Sequence, residues 1–528
     1  VCLRKVPLGV TVRLVQPIDD PSCSSASHPL YAVLTSRETD ADQSHLNDDG
    51  LTSEERRKAR EEKEAAKTRR QVEADLGGFD VEQEWVEEIE REDCFGVDVG
   101  LGGAPPIQKR VYELWLVDAA LGRWDVVDMF QLNEFEHGMA MKVMPLTELV
   151  EDPAQGVPGS GGAASKFEEK PQESTIFIVV GTAIVDNDGE DIGSKGRVLL
   201  FEAKKLDPGD GKSNSPLFDL SLVYEKDISH GPVTSVACLT SEGKSRLVLG
   251  AGSDINVEQW GGGKLTQVGF FRATMLIQEA YIFKNFFLLS DAYDSLQFLV
   301  WRESDKSLTL LAKDYDPVPV YASGLISRGG SMSFVCHDDR QNVQFFQYAP
   351  SDVAARGGNR LVSRADFHLG TQTTSFGSHW CRSSLVAGSA TPNSTLAALR
   401  QQDTLFGRKD DDQRFAIHFG TTDGGFGSIV PLSEPVYWRL TALQSVMSNA
   451  LESNCALSQR AWRLFRRTSR RGGCRGNDRK KGVIDGELIC KYADLALTEQ
   501  EDLAGAIGST VELILDNIVE LTCASMAI

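Results

Sequence analysis

From residue 11 to residue 421 the chain repeats one kind of segment, a run of about five to twelve residues rich in Val, Ile, Leu, Phe and Tyr, closed by Gly, Asp, Asn or Ser. TVRLV, YAVLTS, RVYELWLVD, RWDVVDMF, STIFIVVGTAIV, GRVLLFEA, LSLVYEK, PVTSVACL, SRLVLGAG, NVEQW and LTQVGFF belong to it. So do NFFLLSD, SLQFLVWR, LTLLAKD, PVYASGLI, SMSFVCHD, NVQFFQYA and FAIHFGT. β-branched and aromatic residues suit a pleated, half-buried surface, and the turn residues recur at the roughly 8–12-residue spacing of antiparallel all-β folds. No helical period interrupts the series, which argues against a parallel βαβ sheet.

Three stretches break this pattern and read as surface insertions: residues 38–108, 151–172 and 386–411. The first contains LTSEERRKAREEKEAAKTRRQVEADL, strong helix formers of alternating charge with almost no apolar stripe; the second is a Gly/Pro/Ser linker. With these set aside, the remainder of residues 1–435 divides, at roughly 40–50 residues per four-stranded unit, into about seven blades. The expected fold is therefore mainly β: a β-propeller of roughly seven four-stranded blades, complete or lacking part of one. A β-sandwich supplies similar hairpins but would have to be unusually long.

Residues 436–528 read as a small helical C-terminal domain. WRLTALQSVMSNAL has apolar residues at helical spacing, and the ending offers two capping boxes, Thr498 with Glu501 and Ser509 with Glu512, with Gly508 as a helix stop between them.

Composition excludes several function classes. The net charge of −21 argues against general wrapping of nucleic acid, so any such contact must be local. No apolar run approaches the roughly 18 residues of a membrane-spanning helix. The opening VCLRKVPLGVTVRLV lacks the form of a secretory signal and reads as the interior of a longer protein. The ten cysteines form no C-x-x-C and meet no His at zinc spacing, so they read as reduced thiols of an intracellular protein, with no metal and no cofactor expected.

Catalytic motifs do not assemble. Gly211-Lys212-Ser213 and Gly243-Lys244-Ser245 resemble the end of a phosphate loop, but its earlier glycine is replaced by Leu206 and Cys238, so both read as turns. Asp186–Asp191 is acidic, yet its glycine is misplaced for a calcium loop. His337-Asp338-Asp339 and Asp366-Phe367-His368 set titratable groups close together. In a propeller, strand-end His and Asp ordinarily satisfy loop backbone instead, so no enzyme is expected and no small-molecule substrate is assigned.

The sharpest local charge lies in QRAWRLFRRTSRRGGCRGNDRKK. It gathers Arg460, Arg463, Arg466, Arg467, Arg470, Arg471, Arg475, Arg479, Lys480 and Lys481 against the single acid Asp478, with Trp462 and Phe465 interleaved. Cations beside aromatic rings suit RNA phosphates with stacked bases, or an acidic partner surface. A solvated helix end followed by a basic loop would produce the same composition.

Ordered blocks along the chain carry a family resemblance. They are RKVPLGVTVRLV…HPLYAVLTS, RVYELWLVD, IFIVVGTAIV…GSKGRVLLFEA, LVYEKDISHGPVTSVACL, FKNFFLLSDAYDSLQFLVW, GNRLVSRADFHLGTQTTSF, FGTTDGGFGSIVPL and DGELICKY…LAGAIGSTVELILDNIVEL. Together they resemble the C-terminal part of the large subunits of the cleavage and polyadenylation specificity factor. The block Arg364-Ala365-Asp366-Phe367-His368 and the Leu503–Leu521 ending are more similar to that family than to its two relatives, the large subunit of the damaged-DNA-binding complex and subunit 3 of splicing factor 3b. The chain departs from the pattern in its insertions, after Phe376 and in the enlarged basic stretch.

The resemblance implies a nuclear, non-enzymatic scaffold of pre-mRNA 3′-end processing. Its partners would be zinc-finger and WD-repeat subunits that read the polyadenylation signal, with pre-mRNA contacted directly or through them, and no membrane. The alternative is an adaptor of a damaged-DNA-binding and ubiquitin-ligase complex, or of the splicing factor 3b complex.

Overall fold

A computed structural model of the chain describes residues 6–24, 28–40, 108–120, 124–133, 135–149, 171–185, 195–206, 217–316, 318–328, 331–382, 413–451, 462–463 and 482–526. Its six small antiparallel sheets are arranged as a β-propeller. The first holds β1 (Thr11–Ile18), β2 (Leu30–Asp40), β3 (Gln108–Asp118) and β4 (Asp125–Gln131). The second holds β5 (Glu136–Leu149), β6 (Pro171–Ile184), β7 (Gly196–Leu206) and β8 (Leu217–Ile228). Next come β9 (Val233–Ser241), β10 (Lys244–Ala251), β11 (Asp254–Gly261) and β12 (Lys264–Arg272). The fourth holds β13 (Ile277–Phe283), β14 (Phe286–Asp291), β15 (Ser295–Arg302) and β16 (Ser307–Lys313). The fifth holds β17 (Val320–Arg328), β18 (Ser331–Asp338), β19 (Asn342–Tyr348) and β20 (Val362–His368). Among the described residues the sixth holds β21 (Thr373–Arg382), β22 (Gln413–Thr421) and β23 (Phe426–Ile429).

Among the described residues there are six sheets, one of them three-stranded, against the roughly seven blades, complete or lacking part of one, expected from length. β5 and β6 run to 14 residues each, so the second blade takes up more chain than the usual allotment. In the first five sheets the strand order follows the chain, and the opening strands touch in sequence, β1 to β5, β5 to β9, β9 to β13, β13 to β17 and β17 to β21.

The continuous apolar runs are explained by burial on both faces. In β10, Leu247 and Leu249 pack toward the second sheet with Phe177, Leu200 and Trp260, while Val248 between them packs toward the fourth with Phe287, Leu289 and Trp301. In β14, Phe287 and Leu289 face the third sheet and Leu288 faces the fifth, sharing a cluster with Phe298 of its own sheet and with Phe334 and Phe346 of the fifth. Alternate side chains point to opposite faces, so a strand between two blades needs apolar residues at every position. The outer strand β12, covered less, alternates instead.

The first two composition breaks are a little shorter than expected, since residues 38–40 belong to β2, Gln108 to β3 and Pro171 and Gln172 to β6, and each break then lies between two paired residues. Asp40 pairs with Gln108, Leu149 with Pro171 and Arg382 with Gln413, so at all three places the chain leaves and re-enters the sheet across one antiparallel ladder. The phosphate-loop lookalike at Gly243 is a two-residue hairpin turn: Glu242 and Gly243 have φ of 51° and 76°, and Ser241 pairs with Lys244. The lookalike at Gly211 and the acidic loop 186–191 lie outside the described residues.

After the sheets come α1 (Glu434–Ala450), α2 (Gly486–Cys490), a 3-10 turn (Lys491–Asp494), α3 (Leu497–Ala506) and α4 (Val511–Met526). Leu440, Leu443 and Met447 of α1 share a core with Ile489, Tyr492, Leu503, Ile514 and Ile518, and α4 touches β22 and β23. No described helix is long and apolar enough to cross a membrane.

Gly508 stops α3 in the left-handed region, φ 69°, with its amide bonded to Gly505 O at 3.1 Å and the Ser509 amide to Ala504 O at 2.9 Å. Both expected capping boxes are displaced. The Ser509 amide closes α3, so α4 begins after Thr510, whose Oγ1 accepts the Leu513 amide. Helix α3 begins after Ala496, which has no side-chain acceptor; only the returning half forms, from the Ala496 amide to Glu499 Oε2.

Candidate interaction site at the seam between sheet and helices

Of the ten basic residues singled out in the sequence, Arg463 lies within the described residues; Arg460, Arg466, Arg467, Arg470, Arg471, Arg475, Arg479, Lys480 and Lys481 lie outside them, as does Phe465. Arg463 is held from three sides. Its Nε donates to Asp485 Oδ2 at 2.8 Å, and its Nη2 to Asp485 Oδ1 at 3.5 Å and Glu487 Oε2 at 3.0 Å. Its Nη1 donates to the carbonyls of His368 at 3.3 Å and Leu369 at 2.9 Å. The guanidinium also lies 4.9 Å from the centroid of the Phe367 ring.

A guanidinium has five N–H donors, and these contacts occupy its three nitrogens. Arg463 therefore has nothing left for a phosphate. It acts as a clamp, tying the start of α2 to the end of β20. Asp485 is suited to receive it because it caps α2, accepting the Glu487 amide at 3.1 Å, while its own amide donates to Gln444 Oε1 of α1 at 2.8 Å.

The neighbouring residues complete the seam. The Trp462 ring lies over Gly370, where an added Cβ would come 2.6 Å from Trp462 Cζ2, and stands edge-on to His368 with centroids 5.6 Å apart. Gly482 is pressed against β20, where a Cβ would come 2.7 Å from that of Ala365. Arg463 and Gly482, which flank the basic stretch, thus both sit on the outer strand of the fifth sheet or the loop that follows it.

The two His/Asp clusters also meet here. Asp338 Oδ1 accepts the amides of Arg340 and Asn342, and its Oδ2 accepts the side-chain amides of Asn342 and Gln344, all at 2.8–2.9 Å. Asn342 Oδ1 accepts from His368 Nδ1 at 3.2 Å, and His337 Nε2 donates to Thr371 O at 3.0 Å. Asp339 stands in the turn beside Arg340, 3.8 Å away, and Asp366 lies on β20 paired with Gln344. The carboxylate is spent on a turn, and among the described residues no group of three His, Cys, Asp or Glu is placed to hold a metal.

The fourth sheet repeats the device. Asp291 Oδ1 accepts the amides of Tyr293 and Asp294, and Ser295 Oγ donates to Asp314 Oδ2 at 2.9 Å. The signal was present in the sequence as a spacing: Asp291, Ser295 and Gln297 match Asp338, Asn342 and Gln344. By contrast, the pairing of Arg463 with Asp485 joins residues that nothing local connects.

Burial holds the His337 imidazole well below its ordinary range, at about 4, against the opposing pull of the Thr371 carbonyl. Above the usual pH of about 6.5 the ring is neutral in folded and unfolded chains alike, so it imposes no penalty. As pH falls from about 6.5 to 4 the unfolded chain takes up a proton that the folded one refuses, and stability should drop by about 3 kcal/mol. A His337→Phe variant should lack that segment of the pH–stability curve in denaturant titrations. An unchanged curve would remove His337 as its source.

The family model described as the CPSF A subunit region matches residues 112–494. Among curated proteins, the probable cleavage and polyadenylation specificity factor subunit 1 of Oryza sativa subsp. japonica is 31% identical over 401 residues, covering 76% of this chain and 24% of its own length. The cleavage and polyadenylation specificity factor subunit 1 of Arabidopsis thaliana is 31% identical over 405 residues, covering 76% of this chain and 24% of its own. That of Drosophila melanogaster is 26% identical over 345 residues, covering 65% and 22%. The chain spans about a quarter of the length of the curated relatives it matches.

Proposed function

The chain belongs to the CPSF A subunit region family, and on that premise we propose that it is a non-enzymatic, nuclear scaffold portion of the pre-mRNA 3′-end cleavage and polyadenylation machinery. The observation that carries this reading is the family match itself, which runs from β3 of the first sheet through the other five sheets and into the turn after α2. The surroundings of the titratable strand-end residues support it: the Asp338 carboxylate and the Asn342, Gln344 and His368 side chains form turn and strand-end bonds rather than a nucleophile or proton-transfer pair. In this reading the propeller organises zinc-finger and WD-repeat subunits, which recognise the polyadenylation signal. Co-purification of the tagged chain from nuclear extract tests it. Recovery of polyadenylation factor subunits is expected; recovery of a cullin scaffold in their place would favour the adaptor alternative.

The nine basic residues other than Arg463 are the proposed contact for RNA phosphate or an acidic partner surface. Arg463 and Gly482, on either side of residues 464–481, are themselves seated on the fifth sheet. Replacing Arg466, Arg467, Arg470 and Arg471 with Glu should leave the propeller folded, weaken association and flatten its dependence on salt, since each phosphate contact adds to the salt slope. Binding as tight as the parent's across the whole salt range would reduce the stretch to a solvated loop.

A further inference from the structure

The fourth sheet presents an arrangement that neither the blade layers nor the helix seam uses. Met275, Tyr293, Tyr315 and Tyr321 are 53%, 51%, 50% and 46% exposed. Met275 lies in the connection from β12 to β13, Tyr293 in the turn from β14 to β15, Tyr315 in the connection from β16 to β17, and Tyr321 at the start of β17. Because successive strands run in opposite directions, these connections all reach one rim of the propeller.

The rim is braced rather than loose. Asp291 accepts the Met275 amide through Oδ2 at 2.9 Å and the Tyr293 amide through Oδ1 at 2.8 Å, so one buried carboxylate fixes both loops. Thr274 Oγ1 donates to Asp294 Oδ2 at 2.8 Å. The Ala292 amide donates to Leu276 O at 2.8 Å and the Ser295 amide to Val318 O at 3.1 Å. Lys313 Nζ bridges the two tyrosine loops, 3.5 Å from Asp294 Oδ2 and 5.1 Å from the centroid of Tyr315.

Isolated exposed apolar side chains are ordinary, but four large ones on one fixed rim are not. Tyr and Met are enriched in the cores of protein interfaces, and rings already held by bonded loops lose little freedom when covered. Charge identifies the kind of partner. Lys313, Arg340 and Arg360, on or beside the rim, each face a carboxylate, namely Asp294, Asp339 and Asp316. Arg272 at the end of β12 is likewise paired, with Asp254, so among the described residues these cations are each matched by an acid, within a chain of net −21, and a phosphate backbone gains little here.

We infer that this rim docks a neutral or basic polypeptide segment of another subunit, which lays apolar side chains such as Leu, Met or Pro across the tyrosine rings. The inference rests on the reading of the chain as an assembling subunit, yet the two fail separately. Co-purification can fail while peptide binding is still measured, and peptide binding can fail while the complex still forms.

The test selects a random peptide display library on the full chain, then titrates enriched peptides and an oligouridylate against the parent and two variants. One variant is Tyr293→Ser/Tyr315→Ser. The other, Phe270→Ser/Leu310→Ser, removes side chains 59% and 45% exposed on the outer strands β12 and β16 and so controls for general stickiness. Enriched peptides should carry apolar anchors without net negative charge and lose about tenfold or more in affinity on the tyrosine variant alone. Hydroxyl-radical footprinting of the parent, which needs no substitution, should show Tyr293 and Tyr315 protected by bound peptide. The inference fails if no peptide is enriched, if both variants bind equally, if protection lies elsewhere, or if oligouridylate is the ligand that the tyrosine variant loses.

Discussion

Replacing Arg463 with Ala should destabilise the chain by about 3–5 kcal/mol, because it leaves Asp485 buried without its partner. The side chains are 15% and 5% exposed, so water does not replace the lost donors. The effect should be regional. Arg463 joins α2 to the His368 and Leu369 carbonyls, so amides of α1–α4 should exchange faster while those of the first three sheets are unchanged. Arg463→Lys should recover little, since an ammonium cannot span a carboxylate pair and two carbonyls together. Denaturant titration and hydrogen exchange decide the matter. A loss below about 1 kcal/mol would class Arg463 with ordinary surface residues and return it to the candidate contact surface.

Glu303→Ala should cost a similar amount, about 3–5 kcal/mol, by leaving a guanidinium uncompensated between the third and fourth sheets. Arg246 of β10 is 1% exposed and meets Glu303 through both terminal nitrogens at 2.7 Å and 2.5 Å, while its Nε donates to Gln259 Oε1. Burial alone would raise the Glu303 carboxyl, but hydrogen bonds from Arg246 and Trp301, with the charge of Arg246, outweigh it and hold the group at about 2.

The sign follows from that depression. Above the ordinary glutamate range, near pH 4.5, the pair contributes its full stabilisation. As pH falls toward 2 the unfolded chain protonates first, and about 3 kcal/mol is lost. The acid limb of the parent's melting curve between pH 4.5 and 2 should therefore flatten in Glu303→Ala. An equally steep limb in the variant would assign the loss to other carboxylates.

The spacing of apolar residues made the fold class legible, and physics explains why. A strand covered on both faces needs an apolar residue at every position, and IFIVVGTAIV and SRLVLGAG already display that requirement. Individual strands were less legible where segments such as EHGMAMKVMPLTEL (β5) and TTSFGSHWCR (β21) are poor in β-branched residues and become strands through pairing with β6 and β22. Helix boundaries moved by a residue or two for a similar reason. The closure of α3 by the Ser509 amide decides where α4 can begin, and no propensity encodes that.

Local sequence determined the strand pattern, the turn carboxylates Asp291 and Asp338 with their fixed spacings, and the position of the one strongly basic stretch, because each depends on residues within a few positions of one another. Tertiary structure alone decided which of those charges is already spent. Arg463 and Asp485, or Arg246 and Glu303, are 22 and 57 positions apart, and only the docking of α2 on β20 and of the third sheet on the fourth brings them together. A charge is committed or available according to which partner its environment supplies once water is gone, and that environment exists only in the folded chain.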